Sequence, residues 1–214
     1  MTVWRAITSL GDSALLLPLI CWMALSLLLT QRDRPQGFRW ILAACVCGGT
    51  VALSKLLFMG WGVGADLPGL NYTGFSGHTA LSLLTWPALA GLLCRNGSKD
   101  LRSAALCLGV LFGAGVAVSR LTLRAHSVSE VALGAVLGML VAGWFLIGLF
   151  RHARRSNVAP PIDAARRQIL LLSGGIVIGI LCYGQVFPSQ HVLKDLAIWL
   201  SGHPTVFTRQ AKLG

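Results

Sequence analysis

Charged and polar residues suited to binding an anion stand beside the apolar stretches of this sequence. They form four groups, which are Lys55, the triplet Ser76-Gly77-His78, Arg120, and the pair His126 and Glu130. Ionisable side chains are costly next to lipid, so those that occur there usually have a function. Their types match the needs of phosphoryl transfer, in which cations and hydrogen-bond donors position a phosphoryl group and stabilise its charge.

The cations and the Ser-Gly-His triplet predict a binding site for phosphate oxygens. Arg120 can hold two oxygens at once, whereas Lys55 acts as a point charge. Gly77 allows the backbone to approach a ligand closely, and a helix that starts there directs free N–H groups toward an anion. Ser76 supplies either a hydroxyl donor or the cap of that helix. Together these residues predict a pocket for an oxyanion.

His126 and Glu130 predict the reacting group. They are four residues apart, so on a helix that has begun at His126 both side chains lie on one face. A carboxylate beside the imidazole fixes its tautomer and leaves the other ring nitrogen to attack phosphorus, which forms a phosphohistidine. His78 is then available to protonate the leaving oxygen and later to activate water.

The elements that must position these residues are membrane helices. Of 214 residues, 55% are apolar and only 12% are charged, well below the charged share of soluble domains. Six apolar stretches have close to the length that crosses a bilayer, namely Leu15–Thr30, Trp40–Met59, Ala80–Leu93, Ser103–Ser119, Val128–Phe150 and Ile169–Val186. We therefore predict an all-α, polytopic bundle of six transmembrane helices that forms one domain over residues 1–214, with the third stretch as the weakest crossing.

The segments between these stretches differ in composition. No small-residue cleavage site follows the first stretch, only Gln31-Arg32-Asp33-Arg34-Pro35, so we expect it to remain as a helix. Asp12 is expected to cap this helix. Residues 60–77 are rich in glycine, which suits backbone that bends closely around a ligand. Residues 151–167 are expected to form a charged loop, and residues 187–214 a tail along the outer surface.

The formal charge of +11 is concentrated in alternate loops. The first, third and fifth loops carry most of the basic residues, which are Arg32, Arg34, Arg39, Arg95, Lys99, Arg102, Arg151, Arg154, Arg155, Arg166 and Arg167. Because basic loops stay in the cytoplasm, both termini and the four chemical groups are expected on the outer face. The charge is thus explained by a lipid bilayer and needs no nucleic-acid partner. We expect a bacterial inner membrane with the site facing the periplasm.

Neither the cysteines nor the histidines predict a metal site. The six cysteines lie in or beside apolar segments without a CxxC pair, so we expect neither disulfides nor a structural metal. His78, His126 and Glu130 could be drawn as ligands, but Lys55 and Arg120 beside them would repel a metal cation. The cations favour an anionic substrate, and no cofactor is expected.

Three blocks of the sequence resemble the signature of the type 2 phosphatidic acid phosphatase superfamily, which includes lipid phosphatases and, more distantly, vanadium haloperoxidases. The third block of the family is Ser-Arg, five residues, His, three residues and an acid. It is matched by Ser119, Arg120, His126 and Glu130, with Glu where the family usually has Asp. The second block, Pro-Ser-Gly-His, appears as Phe75-Ser76-Gly77-His78, which keeps the chemical residues and loses the proline.

The first block departs from the family pattern. The family has Lys, six residues and Arg-Pro, whereas this sequence keeps only Lys55 and has Gly62 and Val63 in the Arg-Pro positions. One phosphate-binding cation is therefore missing. Arg124, which lies between the arginine and the histidine of the third block, is a candidate to replace it, although its position favours an ordinary charge of an outer loop.

The resemblance implies a lipid phosphatase whose motif region, residues 55–130, forms a site at the outer face. Its substrate would be a lipid phosphate or diphosphate, such as undecaprenyl diphosphate, phosphatidate or phosphatidylglycerol phosphate. His126 would attack, Glu130 would orient it, and His78 would act as acid and then base. The phosphate would be held by Lys55, Ser76, Gly77 and Arg120.

Two alternatives to hydrolysis stay open. A phosphotransferase would pass the phosphoryl group from the same intermediate to another headgroup, because water and an alcohol differ little at such a site. A non-enzymatic lipid-phosphate binder or transporter would use the same cations, but it gives no reason for His126 and Glu130 to be paired. The sequence indicates no particular oligomeric state.

Overall fold

The computed structural model describes residues 2–64, 71–155 and 161–208. Within these ranges the chain forms eight helices and no strand. The helices are α1 Thr2–Ser9, α2 Ser13–Leu28, α3 Arg34–Trp61, α4 Gly77–Leu93, α5 Lys99–Thr122, α6 Val128–Arg155, α7 Pro161–Cys182 and α8 Ser189–Ser201. The predicted all-α class is confirmed, and each of the six predicted apolar stretches overlaps one of the helices α2 to α7.

Four helical segments in the described ranges are long and apolar enough to cross a membrane. They are Val3–Leu28, Arg34–Trp61, Lys99–Thr122 and Val128–Arg154. α4 has only 17 residues, and the described apolar part of α7, Gln168–Cys182, is shorter still. These helices indicate a membrane protein with four candidate spans, fewer than the six crossings that the sequence predicts.

α4 lies in the middle of the bundle. It packs against α2, α3, α5 and α6. Its small polar side chains Thr79, Ser82 and Thr85 have no exposed surface. In lipid, helices are held together by close packing rather than by removing apolar surface from water, and small side chains allow that close approach. The residues at the start of α4 are therefore surrounded by neighbouring helices.

An aromatic pair fixes α3 between α2 and α6. The Trp40 side chain is fully buried, and its indole N–H donates to the carbonyl of Ile20 at 2.9 Å. The ring centroids of Trp40 and Phe145 are 5.0 Å apart, within the usual range for an aromatic pair. This packing sets the position of α3, and with it the position of Lys55 farther along the same helix.

The basic loops meet at one end of the bundle. Arg95 donates two hydrogen bonds to the carboxylate of Asp33, at 2.9 and 2.8 Å, and these residues are only 6% and 0% exposed. The Gln168 amide donates to the carbonyl of Leu93 at 2.7 Å. The first and third loops therefore share one end of the bundle, as the charge distribution predicts. The end of α3 that carries Lys55 lies at the opposite end.

The charged stretch of residues 151–167 is not the loop that the sequence predicts. α6 continues to Arg155 and α7 begins at Pro161, so most of this stretch is helical. Arginine and alanine are good helix formers, and proline is favoured at the first position of a helix. Residues 156–160 lie outside the described ranges.

Candidate active site

Lys55 lies within the last two turns of α3, at the end of the bundle away from the basic loops. Its side chain is only 8% exposed. The described part of the loop after α3 folds back over this end, where the N–H of Phe75 donates to the Ser54 hydroxyl at 3.0 Å. The ammonium group of Lys55 is attracted by the charge of Glu130 and repelled by the charge of Arg120. Residues from three helices therefore meet near Lys55.

Glu130 accepts hydrogen bonds on both of its carboxylate oxygens. Its Oε2 lies 2.8 Å from Nδ1 of His126 and accepts from the N–H of Ser127 at 3.0 Å. Its Oε1 accepts from the N–H of Thr73 at 2.6 Å and also from the Thr73 hydroxyl. Glu130 has no exposed surface. A buried carboxylate is tolerated here because four donors replace water.

The contact with Glu130 decides which ring nitrogen of His126 carries the proton. A carboxylate can only accept, so Nδ1 donates and Nε2 keeps the lone pair that a nucleophile needs. Burial lowers the pKa of His126 below its ordinary value, although the hydrogen bond to Glu130 and the charge of that group raise it. The charges of Lys55 and Arg120 lower this pKa further. The imidazole of His126 is therefore kept neutral near pH 7.

His126 precedes α6 rather than lying on it. α6 begins at Val128, so the contact between His126 and Glu130 does not come from the continuous helix that the spacing suggests. Instead, Ser127 and Glu130 form a capping box. The N–H of Ser127 donates to the Glu130 carboxylate, and the N–H of Glu130 donates to the Ser127 hydroxyl at 3.4 Å. The Ser-x-x-Glu spacing is the signal in the sequence that could have predicted this geometry.

Arg120 lies in the last turn of α5. Its Nη1 donates to the Thr8 hydroxyl of α1 at 3.1 Å. The Nε–H group is buried and has no hydrogen-bond partner among the residues that the structure describes. A buried donor without an acceptor is costly. This donor is available to an oxygen of a bound phosphate.

His78, the second residue of α4, lies against a carboxylate that the sequence did not connect with it. Its Nε2 is 3.5 Å from Oδ2 of Asp12. The prediction that Asp12 caps α2 is confirmed, since the N–H of Ala14 donates to its Oδ1 at 2.8 Å. Lys55 and Arg120 act electrostatically on His78 as they do on His126. Both histidines therefore lie near the same two cations.

The approach of Asp12 to His78 depends on Gly11. A Cβ atom on Gly11 would lie 2.4 Å from Cγ1 of Val116 and 2.8 Å from the Ser82 hydroxyl. The corner between α1 and α2 therefore fits against α4 and α5 only without a side chain at this position. A Gly-Asp pair at the edge of an apolar stretch is the one sign of this contact in the sequence.

Lys55, Arg120 and His126 line one cleft with a volume of about 440 Å³. This volume falls in the range of small-molecule sites, roughly 300 to 1,000 Å³. Further lining residues come from α8 and the segment after it, and include Gln190, His191, Lys194 and Phe207. None of the three sequence blocks contains α8, so the sequence did not assign this part of the chain to the site.

Comparison with known proteins identifies the family of this chain. A family model of the PAP2 superfamily matches residues 60–154, which include the second and third blocks. An uncharacterized 22.5 kDa protein in the cps region of Klebsiella pneumoniae is 42% identical over 144 residues, which are 67% of this chain and 68% of the relative. The chain belongs to the PAP2 superfamily. Membership of PAP2 supports a phosphatase-type, hydrolytic activity. No solved structure matches the chain.

Arg124, the candidate to replace the arginine that is missing from the first PAP2 block, lies at the end of α5 and outside the cleft. Its backbone is left-handed, with a φ of 52°, and its exposed side chain does not line the cleft. The N–H groups of Arg124 and Ala125 donate to the carbonyls of Leu121 and Arg120, at 2.9 and 3.0 Å. This pattern is a Schellman motif, which ends α5. Arg124 therefore closes a helix, and its side chain lies outside the cleft that Lys55, Arg120 and His126 line.

Ser76 and Gly77 of the second PAP2 block stand at the start of α4. The Ser76 hydroxyl is buried and pairs with the Thr79 hydroxyl at 3.0 Å, and it makes no hydrogen bond to the N–H groups of the helix. The predicted side-chain cap is therefore not formed. Instead, the N–H of Ser76 donates to the carbonyl of Glu130 at 3.1 Å. This hydrogen bond ties the backbone of the second block to the third.

Proposed function

We propose that this protein is a lipid phosphate or diphosphate phosphatase that forms a phosphohistidine on His126. The observation that carries the proposal is the imidazole of His126, which is held by Glu130 and lines a cleft together with Lys55 and Arg120. Membership of PAP2 supports the class of reaction. Candidate substrates are undecaprenyl diphosphate, phosphatidate and phosphatidylglycerol phosphate.

In the first step, Nε2 of His126 attacks phosphorus while the bond between phosphorus and the leaving oxygen breaks. His78 gives its proton to that oxygen, so a lipid alcohol or a lipid monophosphate leaves. Lys55 and the Nε–H of Arg120 stabilise the charge on the other phosphoryl oxygens. Asp12, whose Oδ2 lies 3.5 Å from Nε2 of His78, supplies a counter-charge to this imidazole when it carries the proton.

In the second step, a water oxygen attacks phosphorus while His78 takes a proton from that water. The bond between phosphorus and Nε2 of His126 breaks, and phosphate leaves. His78 has then regained the proton that it gave to the leaving oxygen. Glu130 again holds a neutral imidazole, so the site is ready for another substrate.

The proposed mechanism uses no metal ion. Lys55 and Arg120 supply the charge stabilisation that metal ions provide in many phosphatases. With these two cations in the place of a metal ion, we propose a metal-independent hydrolase.

We also propose that α2 to α7 all cross the membrane, in a single domain. The basic loops would face the cytoplasm, and the cleft would face the periplasm of a bacterial inner membrane. The whole of α7 has 22 residues, enough for a crossing, whereas the 17 residues of α4 need either surrounding helices or local thinning of the bilayer. The position of α4 in the middle of the bundle supports the first of these explanations.

His126→Ala tests the mechanism. Wild-type protein in detergent is expected to release inorganic phosphate from lipid phosphates with a chelator of divalent ions present. The variant is expected to lose this activity, because it removes the imidazole that Glu130 holds. His152→Gln, at the basic end of the bundle, is the matched control and should keep full activity. Turnover by a His126→Ala variant with unchanged helix content would exclude the phosphohistidine.

Product analysis separates hydrolysis from transfer. A phosphotransferase would yield a phosphorylated acceptor when a lipid or sugar alcohol is added, because the acceptor would replace water in the second step. Free phosphate as the sole product supports the hydrolase. Binding of lipid phosphates without any turnover would instead favour a binder or transporter.

A further inference from the structure

The end of α3 leaves no room for the arginine of the family's first block. Gly62, in that position, has a left-handed backbone with a φ of 69°. A Cβ atom on it would lie 2.9 Å from Cε1 of Phe207. A side chain at position 62 is therefore disfavoured by the backbone and blocked by the ring. Phe207 occupies the space in which such a side chain would begin.

Phe207 belongs to a segment, residues 203–207, that is hydrogen-bonded to the end of α3. The N–H of Phe207 donates to the carbonyl of Met59 at 2.9 Å, and Nδ1 of His203 lies 2.9 Å from the carbonyl of Gly60. α8, just before this segment, packs against α3 and buries Ala197 completely. The docking of this segment against α3 therefore leaves no space for a side chain at position 62.

The same docking brings Lys194 to the cleft. Lys194 and His191 are three residues apart on one face of α8, and both line the cleft. The side chain of Lys194 is exposed, and none of the ion pairs found in the described ranges involves it. The cleft already contains the cations of Lys55 and Arg120. A third cation favours a ligand with more negative charge than one phosphoryl group carries.

We infer that Lys194 forms a second anion subsite, which binds the lipid-proximal phosphoryl group of a diphosphate while Lys55 and Arg120 hold the terminal one. The inference rests on the proposed function and narrows its substrate class to lipid diphosphates. The phosphoryl group at this subsite belongs to the leaving lipid monophosphate. It gains negative charge as the bond to the terminal phosphorus breaks, so a cation there stabilises the transition state as well as the bound substrate.

Kinetics with two matched substrates test the subsite. Farnesyl diphosphate and farnesyl monophosphate differ only in the second phosphoryl group. Lys194→Gln is expected to lower kcat/KM for the diphosphate by about tenfold, the size of one lost charged contact. For the monophosphate the change should stay below about twofold, because an exposed charge that touches nothing contributes little. Lys194→Arg should restore most of the activity toward the diphosphate.

Arg124→Gly is the matched control. It removes one exposed positive charge that follows α5 and keeps the left-handed turn, so it should leave kcat/KM for both substrates unchanged. An equal loss with both substrates in Lys194→Gln would show that Lys194 acts on the reacting phosphoryl group or by general attraction. No loss with either substrate would also overturn the subsite.

Calorimetry with inorganic pyrophosphate and inorganic phosphate does not depend on turnover. Wild-type protein should bind pyrophosphate about tenfold more tightly than phosphate, and Lys194→Gln should lose this preference. If the preference depends on Lys194 but no lipid phosphate is hydrolysed, the proposed function fails and the subsite stands. If lipid phosphates are hydrolysed but pyrophosphate is not preferred, the subsite alone is rejected.

Discussion

At the scale of single residues, Glu130 determines which ring nitrogen of His126 carries the proton. Thr73 and Ser127 donate three hydrogen bonds to its carboxylate, so its position does not depend on His126 alone. A carboxylate held in this way orients the ring with little further loss of entropy. The capping box with Ser127 also explains how glutamate serves where the family usually has aspartate.

Glu130→Gln is expected to lower kcat by roughly 10⁴-fold, the effect of replacing the acid that orients a catalytic histidine by its amide. It should also change the pH profile. In the wild type, burial holds the pKa of His126 below its ordinary value of about 6.5, while Glu130 raises it. Removing the charge of Glu130 lowers this pKa further, because one raising interaction is lost.

The acidic limb of kcat/KM reports the protonation of His126 in the free enzyme. Protonated His126 cannot attack, so the limb lies below pH 6.5 in the wild type and moves to still lower pH in Glu130→Gln. Measuring both profiles with one lipid substrate gives the direction of the shift. A limb that moves to higher pH would rule out the role of Glu130 beside His126.

At the scale of secondary-structure elements, the residues of the site lie at helix ends rather than at helix centres. α5 ends in a Schellman motif, α6 begins with a capping box, and α2 begins at Asp12. Each of these local structures leaves one functional side chain at the same end of the bundle. The corner between α1 and α2 is the most sensitive of them, because Gly11 has no space for a side chain.

Gly11→Ala is expected to lower both the midpoint of thermal unfolding and the rate of phosphate release. The added methyl group would overlap Val116 and Ser82, and overpacking of this kind costs about 1 to 3 kcal/mol. It would also move Asp12 away from His78. Gly48→Ala, on α3, is the control, because nothing lies within 4 Å of its added Cβ. Equal behaviour of the two variants would contradict the tight fit of this corner.

At the scale of the whole molecule, the two ends of the bundle differ in what they contain. One end is held together by the buried ion pair of Asp33 and Arg95, and it carries the basic loops. The other end contains the cleft. A buried ion pair is costly to break, because the charge that remains has lost its counter-ion in a medium without water.

Arg95→Ala should destabilise the protein by about 3 to 5 kcal/mol, since it removes the cation beside the fully buried carboxylate of Asp33. The folded fraction should keep its specific activity, because the cleft lies at the opposite end. Lys99→Ala, an exposed residue of the same end, is the control and should change stability little. Thermal unfolding and specific activity of the same samples check both statements. Loss of activity without loss of stability would contradict this separation of the two ends.

Local patterns in the sequence determine a large part of this protein. Apolar stretches predict the helices α2 to α7, because each helix satisfies its own backbone hydrogen bonds in lipid. Basic loops predict which helix ends lie together, and the ion pair of Asp33 and Arg95 confirms that the first and third loops share an end. The short spacing of His126 and Glu130 predicts their contact, although the contact is made through a helix cap and not along a helix.

Only the tertiary structure decides the contacts between distant segments. Asp12 meets His78, Thr73 meets Glu130, and α8 brings Lys194 to the cleft, while Arg124 stays outside it. In lipid, apolar residues cover all sides of a helix, so the apolar pattern does not show which side faces which neighbour. Close packing selects the neighbours, and glycines such as Gly11 and Gly62 set where backbones approach. That selection needs all the helices at once, which no single stretch of sequence contains.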